Sequence, residues 1–177
     1  MPTCNWIVIA IKYLKAVVKN KRKEVRRLVI RKLIQTDEDV SSIVLRMGLG
    51  AVFFAHGAQK LFGWFGGYGF SGTMGFLTGS LGIPALFAFL VIMAEFFGAL
   101  GLLSGLLTRV SAFGIAIVMV VAILMIHLRY GFFMNWSGKQ QGEGIEYHIL
   151  VLTISTVLMI NGGGRWSLDR LITEKIQ

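Results

Sequence analysis

Five ionisable side chains stand inside or at the margin of long apolar runs. Arg46, His56 and Lys60 lie in RMGLGAVFFAHGAQKLFGWFGGYG (residues 46–69), Glu95 in MAEFFGALGLLSG, and Glu146 heads EYHILVLTISTVLMI. At 100° per residue, Arg46, Phe53, His56 and Lys60 fall within roughly 80° of one another on a helix, while Ala51, Ala55 and Ala58 line the opposite side. Imidazole and carboxylate groups exchange protons, and guanidinium and ammonium groups hold anionic charge. In an apolar medium an ionised group costs several kcal/mol unless paired or hydrated, so each of these residues needs a partner, an occupant or a proton.

The medium is set by composition. The chain of 177 residues is 55% hydrophobic and 15% charged, which predicts an integral membrane protein of a single domain. Its formal charge of +9 is uneven, since ten of the eighteen Lys and Arg fall between Lys12 and Lys32. A basic arm on a membrane domain matches an anionic leaflet, where each Lys or Arg is worth about 1 kcal/mol, and nucleic acid is not expected as a partner. Cys4 is the single cysteine, so an intramolecular disulfide, a CxxC pair and a thiolate metal cluster are excluded. The apolar run Trp6 to Ile11 precedes the positive charges instead of following them, so the start is not expected to be cleaved as a signal peptide.

The elements that must position the ionisable groups follow from periodicity. From Ile7 to Val29, Ile7, Ala10, Ile11, Leu14, Val17, Val18, Val25, Leu28 and Val29 share one helical face. Lys12, Lys15, Lys19, Arg22, Lys23 and Arg26 share another. This predicts an amphipathic helix in the membrane interface, with residues 7–32 on anionic headgroups; the alternative is a helix packed on soluble parts of the protein. A polar linker follows, in which Asp37, Glu38 and Asp39 are N-cap candidates, so that residues 1–42 form one unit.

Four spans are expected over about 43–62, 84–107, 110–128 and 145–160, making residues 43–172 a four-helix transmembrane domain with a tail at 173–177. The connector from Gly63 to Ile83 carries eight glycines and no charge, and a short interfacial helix is expected near residues 70–80. Ala94, Gly98, Gly101 and Gly105 form a small-residue seam for close helix approach, and Thr108 and Arg109 are expected to turn the chain. Asn161 and Gly162 to Gly164 end the fourth span. The arm, Arg109, Arg165, Arg170 and Lys175 outweigh Arg129 and Lys139, so both termini are expected on the cytoplasmic side.

Counting 1.5 Å per residue from each boundary, Glu95 lies near the midplane, Arg46 about 5 Å from the cytoplasmic edge and His56 about 20 Å from it. Glu95 is therefore expected to pair with Arg46 or with His56. Lys60, His127, Arg129, Glu143, Glu146 and His148 gather toward the outer boundary and predict a polar pocket there. The plain alternative is one buried Glu95–Arg46 pair plus boundary charges that reach the headgroups. His56, His127 and His148 lack the ligand spacing of HExxH, GGGR at 162–165 lacks a Walker lysine, and no GxSxG occurs. No metal, haem or flavin signature is present.

The stretches RMGLGAVFFAHGAQKLFGWFGGYG (46–69), MAEFFGALGLLSGLLTR (93–109), GIEY (144–147) and NGGGRWSLD (161–169) resemble the DoxX family of small bacterial membrane proteins, over roughly Val44 to Ile172. The resemblance implies an all-α, four-helix membrane bundle in the bacterial cytoplasmic membrane. It also implies a link to quinone-coupled sulfur oxidation, as in the membrane subunit of thiosulfate:quinone oxidoreductase. On that implication His56 and Glu95 are the candidate catalytic proton carriers, and Arg46, Lys60 and Glu146 the candidate ligand-binding residues. Quinone is the implied cofactor, and a soluble redox protein the implied partner that does the oxidation. Two other readings stand beside it. One is a non-catalytic scaffold that recruits soluble redox enzymes; the other is a small transporter, which with four short spans would need a homo-oligomer.

Overall fold

The computed structural model describes residues 5–36 and 39–176. The expectations attached to Cys4, Asp37, Glu38 and Gln177, and to the side chains of Ile7, Ala10 and Ile11, lie outside the described residues. Among the described residues every regular element is helical. The chain divides after Leu33 into two units. The first is carried by α1 (Asn5–Ile34), on which Lys12, Lys15, Lys19, Arg22, Lys23 and Arg26 are exposed, as are Leu14, Val17, Val18, Val25, Leu28 and Val29.

The second unit is a helical bundle. It contains α2 (Ser41–Phe62), α3 (Gly69–Gly75), α4 (Ala85–Ser104), α5 (Thr108–Ala122), α6 (Glu146–Asn161) and α7 (Leu168–Ile176). α5 continues through a π turn, Ile123–His127, and a 3₁₀ turn, Leu128–Tyr130. Three rods are long and apolar enough to cross a bilayer: Ser41–Phe62, Ala85–Ser104 and Thr108–Tyr130. The fourth, α6, is a shorter apolar helix of 16 residues. Phe53, Ile92, Ala99, Leu102, Ile115 and Leu158 form the fully buried core.

Small residues set the helix spacing. Gly57 of α2 lies against α4 so closely that a Cβ there would stand 2.7 Å from Phe96 Cα. The expected seam on α4 faces α5, with Gly98 against Ile115 and Gly101 against Ser111. At the start of α2 the Asp39 carboxylate accepts the side-chain and backbone hydrogen bonds of Ser41, and these hold its carboxyl below the usual carboxylate range. The connector forms α3, which runs on into a π turn at Phe76–Ser80, close to the expected short helix.

Two expectations at the Arg46 end are corrected. α4 stops at Ser104, not Leu107, and the reversal is made by Gly105 (φ +68°) to Leu107 (φ +50°), while Thr108 and Arg109 already belong to α5. A branched side chain is disfavoured in this left-handed conformation. Asp169, 1% exposed, holds it: its carboxylate accepts from the N–H groups of Leu107 (2.7 Å) and Thr108 (2.8 Å), and its own N–H donates to Gly105 O (2.9 Å). The second correction follows from the first. Ending α4 early frees the carbonyls of its last turn at the depth of Arg46, and Arg46, 3% exposed, donates to Leu102 O (3.1 Å), Leu103 O (2.8 Å), Gly163 O (3.0 Å) and Trp166 O (2.5 Å). Its guanidinium satisfies orphan acceptors at a helix C-terminus, where positive charge is favoured, and it is not the partner of Glu95.

Candidate functional site

The opposite end of the bundle holds a partly open cavity of about 570 Å³, lined by α2, α3 with its π turn, α4, α5 and the start of α6. That volume lies within the range of about 300–1,000 Å³ typical of small-molecule sites. Apolar walls come from Phe53, Leu77, Val91, Val118 and Met119, which are the inward faces of their helices.

Polar groups reach the cavity from three sides. α2 and α4 run antiparallel with Gly57 against Phe96, so Glu95 is level with His56 and Gly57 and one turn short of Lys60. His56, at the same level, is exposed and lines the cavity, and it is not the ion-pair partner of the carboxylate. The flexible Lys60 side chain reaches back and its Nζ forms the ion pair with Glu95 Oε2. The Glu95 side chain is 4% exposed and that of Lys60 31%. The pairing expected with Arg46 or His56 is thereby replaced, and Lys60 is a cavity-wall residue, not a boundary anchor. Lys60 is further placed by its own carbonyl, which accepts from the Thr73 hydroxyl of α3 at 3.3 Å.

The third side is aromatic. His127, on the π turn, and His148, on the first turn of α6, stack with ring centroids 4.1 Å apart and planes inclined by 43°. Tyr147 lies edge-on to His148 at 5.6 Å, and its buried hydroxyl has no hydrogen-bond partner. His127 Nδ1 lies 2.8 Å from Glu143 O. All four residues line the cavity.

The structure therefore brings His56, Lys60 and Glu95 to one cavity and leaves two predicted site residues outside it. Arg46 lies at the other end of the bundle. Glu146 is spent on the loop before α6: its Oε2 accepts from Met134 N–H at 3.0 Å, as Glu143 Oε2 accepts from Asn135 N–H at 2.6 Å. His127 and His148 line the cavity, as the polar pocket expected toward the outer boundary requires, whereas Tyr147 is a functional candidate that residue-by-residue depth reasoning passes over. The meeting of the two histidines also has a signal, because His127 ends one span and His148 begins the next, and consecutive antiparallel helices bring such positions to the same level. Among the described residues no group of three or more His, Cys, Asp or Glu side chains is arranged to hold a metal ion.

Comparison with known proteins gives the following. A family model described as DoxX matches residues 41–128, from α2 to the end of the π turn and its neighbour. The chain is 28% identical over 134 residues to "Putative oxidoreductase CatD" of Bacillus subtilis (strain 168), covering 76% of this chain and 88% of that one. It is 30% identical over 143 residues to "Inner membrane protein YqjF" of Escherichia coli (strain K12), covering 78% and 96%. It is 32% identical over 153 residues to "Uncharacterized membrane protein Rv3486" of Mycobacterium tuberculosis, covering 81% and 88%. No solved structure matches the chain.

Proposed function

Since the chain belongs to the DoxX family of membrane proteins, we propose that it binds a quinone in this cavity and serves as the membrane subunit of a quinone-linked oxidoreductase whose soluble partner carries the electrons. One observation supports the reading: an apolar cavity of about 570 Å³ with hydrogen-bond donors and a proton-carrying ion pair in its wall. A quinone head group needs flat apolar surfaces and donors for its ring oxygens. Phe53, Val118 and Met119 supply the first; the Tyr147 hydroxyl and the Lys60 ammonium supply the second. The name of the Bacillus subtilis relative carries the same reaction class.

When bound, a quinone supplies a reversible couple of two electrons and two protons. The residues of this chain do the rest. Tyr147 and Lys60 orient the ring oxygens, and Lys60 offsets negative charge arising there. Glu95, held by Lys60, exchanges a proton with the ligand, and the exposed His56 on the cavity lining is a second proton carrier. Arg46 takes no part, since its donors are used by main-chain carbonyls. With no flavin, haem or cysteine pair in the sequence, the electrons come from a partner.

The protein resides, on the same reading, in the bacterial cytoplasmic membrane with its Arg46 end inward, because Arg109, Arg165, Arg170 and Lys175 cluster beside that end of the helices. The basic face of α1 binds anionic headgroups, which its exposed Lys and Arg and exposed apolar residues both favour.

The test uses the purified full chain in nanodiscs, titrated with a decyl-substituted benzoquinone. Tyr147→Phe is expected to weaken binding about fivefold, as the loss of one hydrogen bond of ~1 kcal/mol does, and Met119→Trp to abolish it by filling the space. Unchanged affinity in both variants removes the cavity as the quinone site.

A further inference from the structure

We propose that the His127–His148 pair is the proton path between the cavity and the water at the end of the bundle that carries the 131–145 loop. The inference deepens the quinone reading and rests on it only in that the ligand takes up protons.

The geometry of the two rings is that of a relay. His127 is partly exposed and stands beside the exposed Glu143, whereas His148 is 5% exposed and meets no bulk water of its own. A carbonyl oxygen only accepts, so the contact of 2.8 Å with Glu143 O puts a hydrogen on His127 Nδ1 and leaves Nε2 as the base in the neutral ring. The rings are in face contact, with centroids 4.1 Å apart, and His148 Nδ1 is buried without a hydrogen-bond partner, so a rotation of the ring that turns a His148 nitrogen toward Nε2 of His127 opens the transfer. The π turn makes this meeting. Leu128 N–H bonds back five residues to Ile123 O, and the wider turn carries His127 off the stripe that α5 would otherwise continue. Such turns recur where a helix serves a site.

The other titratable groups around the pair do not offer the same path. Tyr147 of α6 continues it inward with its unpartnered hydroxyl. Lys60 of α2 and Glu95 of α4 are paired with each other, and the exposed ring of His56 on α2 lies edge-on to Phe53 at 6.4 Å, not against the pair. Phe53, Val91, Val118 and Met119 between them carry no exchangeable proton. Two imidazolium ions at this separation repel, which disfavours a second extra proton on the pair while one is in transit. Once an apolar ligand fills the cavity and excludes water, His148 reaches solvent through His127.

Each passage balances. Nε2 of His127 takes up a proton from the water at the loop, passes it to His148, and the His148 imidazolium so formed gives one proton to a ligand oxygen, which leaves both rings neutral. One passage supplies one proton of quinone reduction, Glu95 the other, and the reduced soluble partner supplies the two electrons.

The experiment follows the ring N–H of His148 by NMR in the full chain, labelled at nitrogen in histidine and held in nanodiscs. The three histidines are assigned with His56→Gln, His127→Gln and His148→Gln. The cavity is closed to water either by decyl-benzoquinone or by Met119→Trp, so the measurement does not depend on quinone binding. Exchange of the His148 proton with water is expected to slow at least about tenfold in His127→Phe and to recover on addition of free imidazole. His127→Gln, which keeps a donor toward Glu143 O but removes the base, is expected to behave as His127→Phe and serves if the latter does not fold. Exchange within about twofold of the wild type in both His127 variants overturns the path. Loss of quinone binding with the relay intact overturns the proposed function instead.

Discussion

Lys60 reaches back along α2 to the carboxylate of Glu95, and this ion pair joins the first two spanning helices at the wall of the cavity. The arrangement is a consequence of register. Gly57 packs on Phe96, which places Glu95 level with the second turn from the end of α2, and a long flexible cation one turn further on reaches it. Because Lys60 keeps part of its exposure, the pair is half wet, which suits a group that must exchange protons.

Replacing Glu95 by Leu leaves the ammonium beside an apolar wall. The single variant is expected to lose about 1–3 kcal/mol of stability, a figure reduced for the exposure of Lys60, and Lys60→Met combined with Glu95→Leu to recover most of it. Thermal unfolding in detergent, read as a double-mutant cycle, gives the coupling. Additive losses would show that the pair does not hold the helices together.

Arg46 is the more expensive residue to remove. Arg46→Met removes the side-chain donor from four carbonyls, those of Leu102 and Gly163 in buried bonds, and is expected to lower stability by roughly 3 kcal/mol. Arg46→Lys should rescue little, since one ammonium cannot replace the fork of the guanidinium. Whatever fraction folds should bind quinone with the affinity of the wild type, because the residue is remote from the cavity. A selective loss of binding in well-folded Arg46→Lys would contradict this placement.

Asp169→Asn tests the reversal between α4 and α5. The amide keeps a single acceptor oxygen for two N–H groups, so a loss of about 1–2 kcal/mol is expected, with faster hydrogen exchange at Leu107 and Thr108. Protection unchanged at both amides would mean that the turn holds without the carboxylate.

For α1 the prediction concerns lipid. A cysteine placed at Val18 in a Cys4→Ser background and labelled with an environment-sensitive dye should shift to the blue when nanodiscs contain phosphatidylglycerol. The shift should fall when Lys15, Lys19 and Arg22 are changed to Gln. An emission that ignores both lipid charge and these substitutions would exclude the headgroup contact.

How much was legible beforehand is clearest residue by residue. The seam of Gly98 and Gly101, the short helix in the glycine-rich connector and the gathering of polar residues toward one end of the bundle follow from spacing alone, because helical periodicity fixes faces and residue count fixes depth. The partners of Arg46 and Glu95 do not. They depend on where α4 ends to within one turn, which decides whether main-chain carbonyls are free at the level of Arg46, and on the offset between α2 and α4 set by one glycine contact. Likewise a π turn leaves no mark in an apolar run such as Ile123 to Ile126, yet it brings His127 onto His148. The sequence alone determined that this is a helical membrane protein with ionisable groups at two depths. Tertiary structure decided which of them meet, because a side chain's partner depends on helix ends and inter-helix offsets of a few ångströms that local periodicity does not encode.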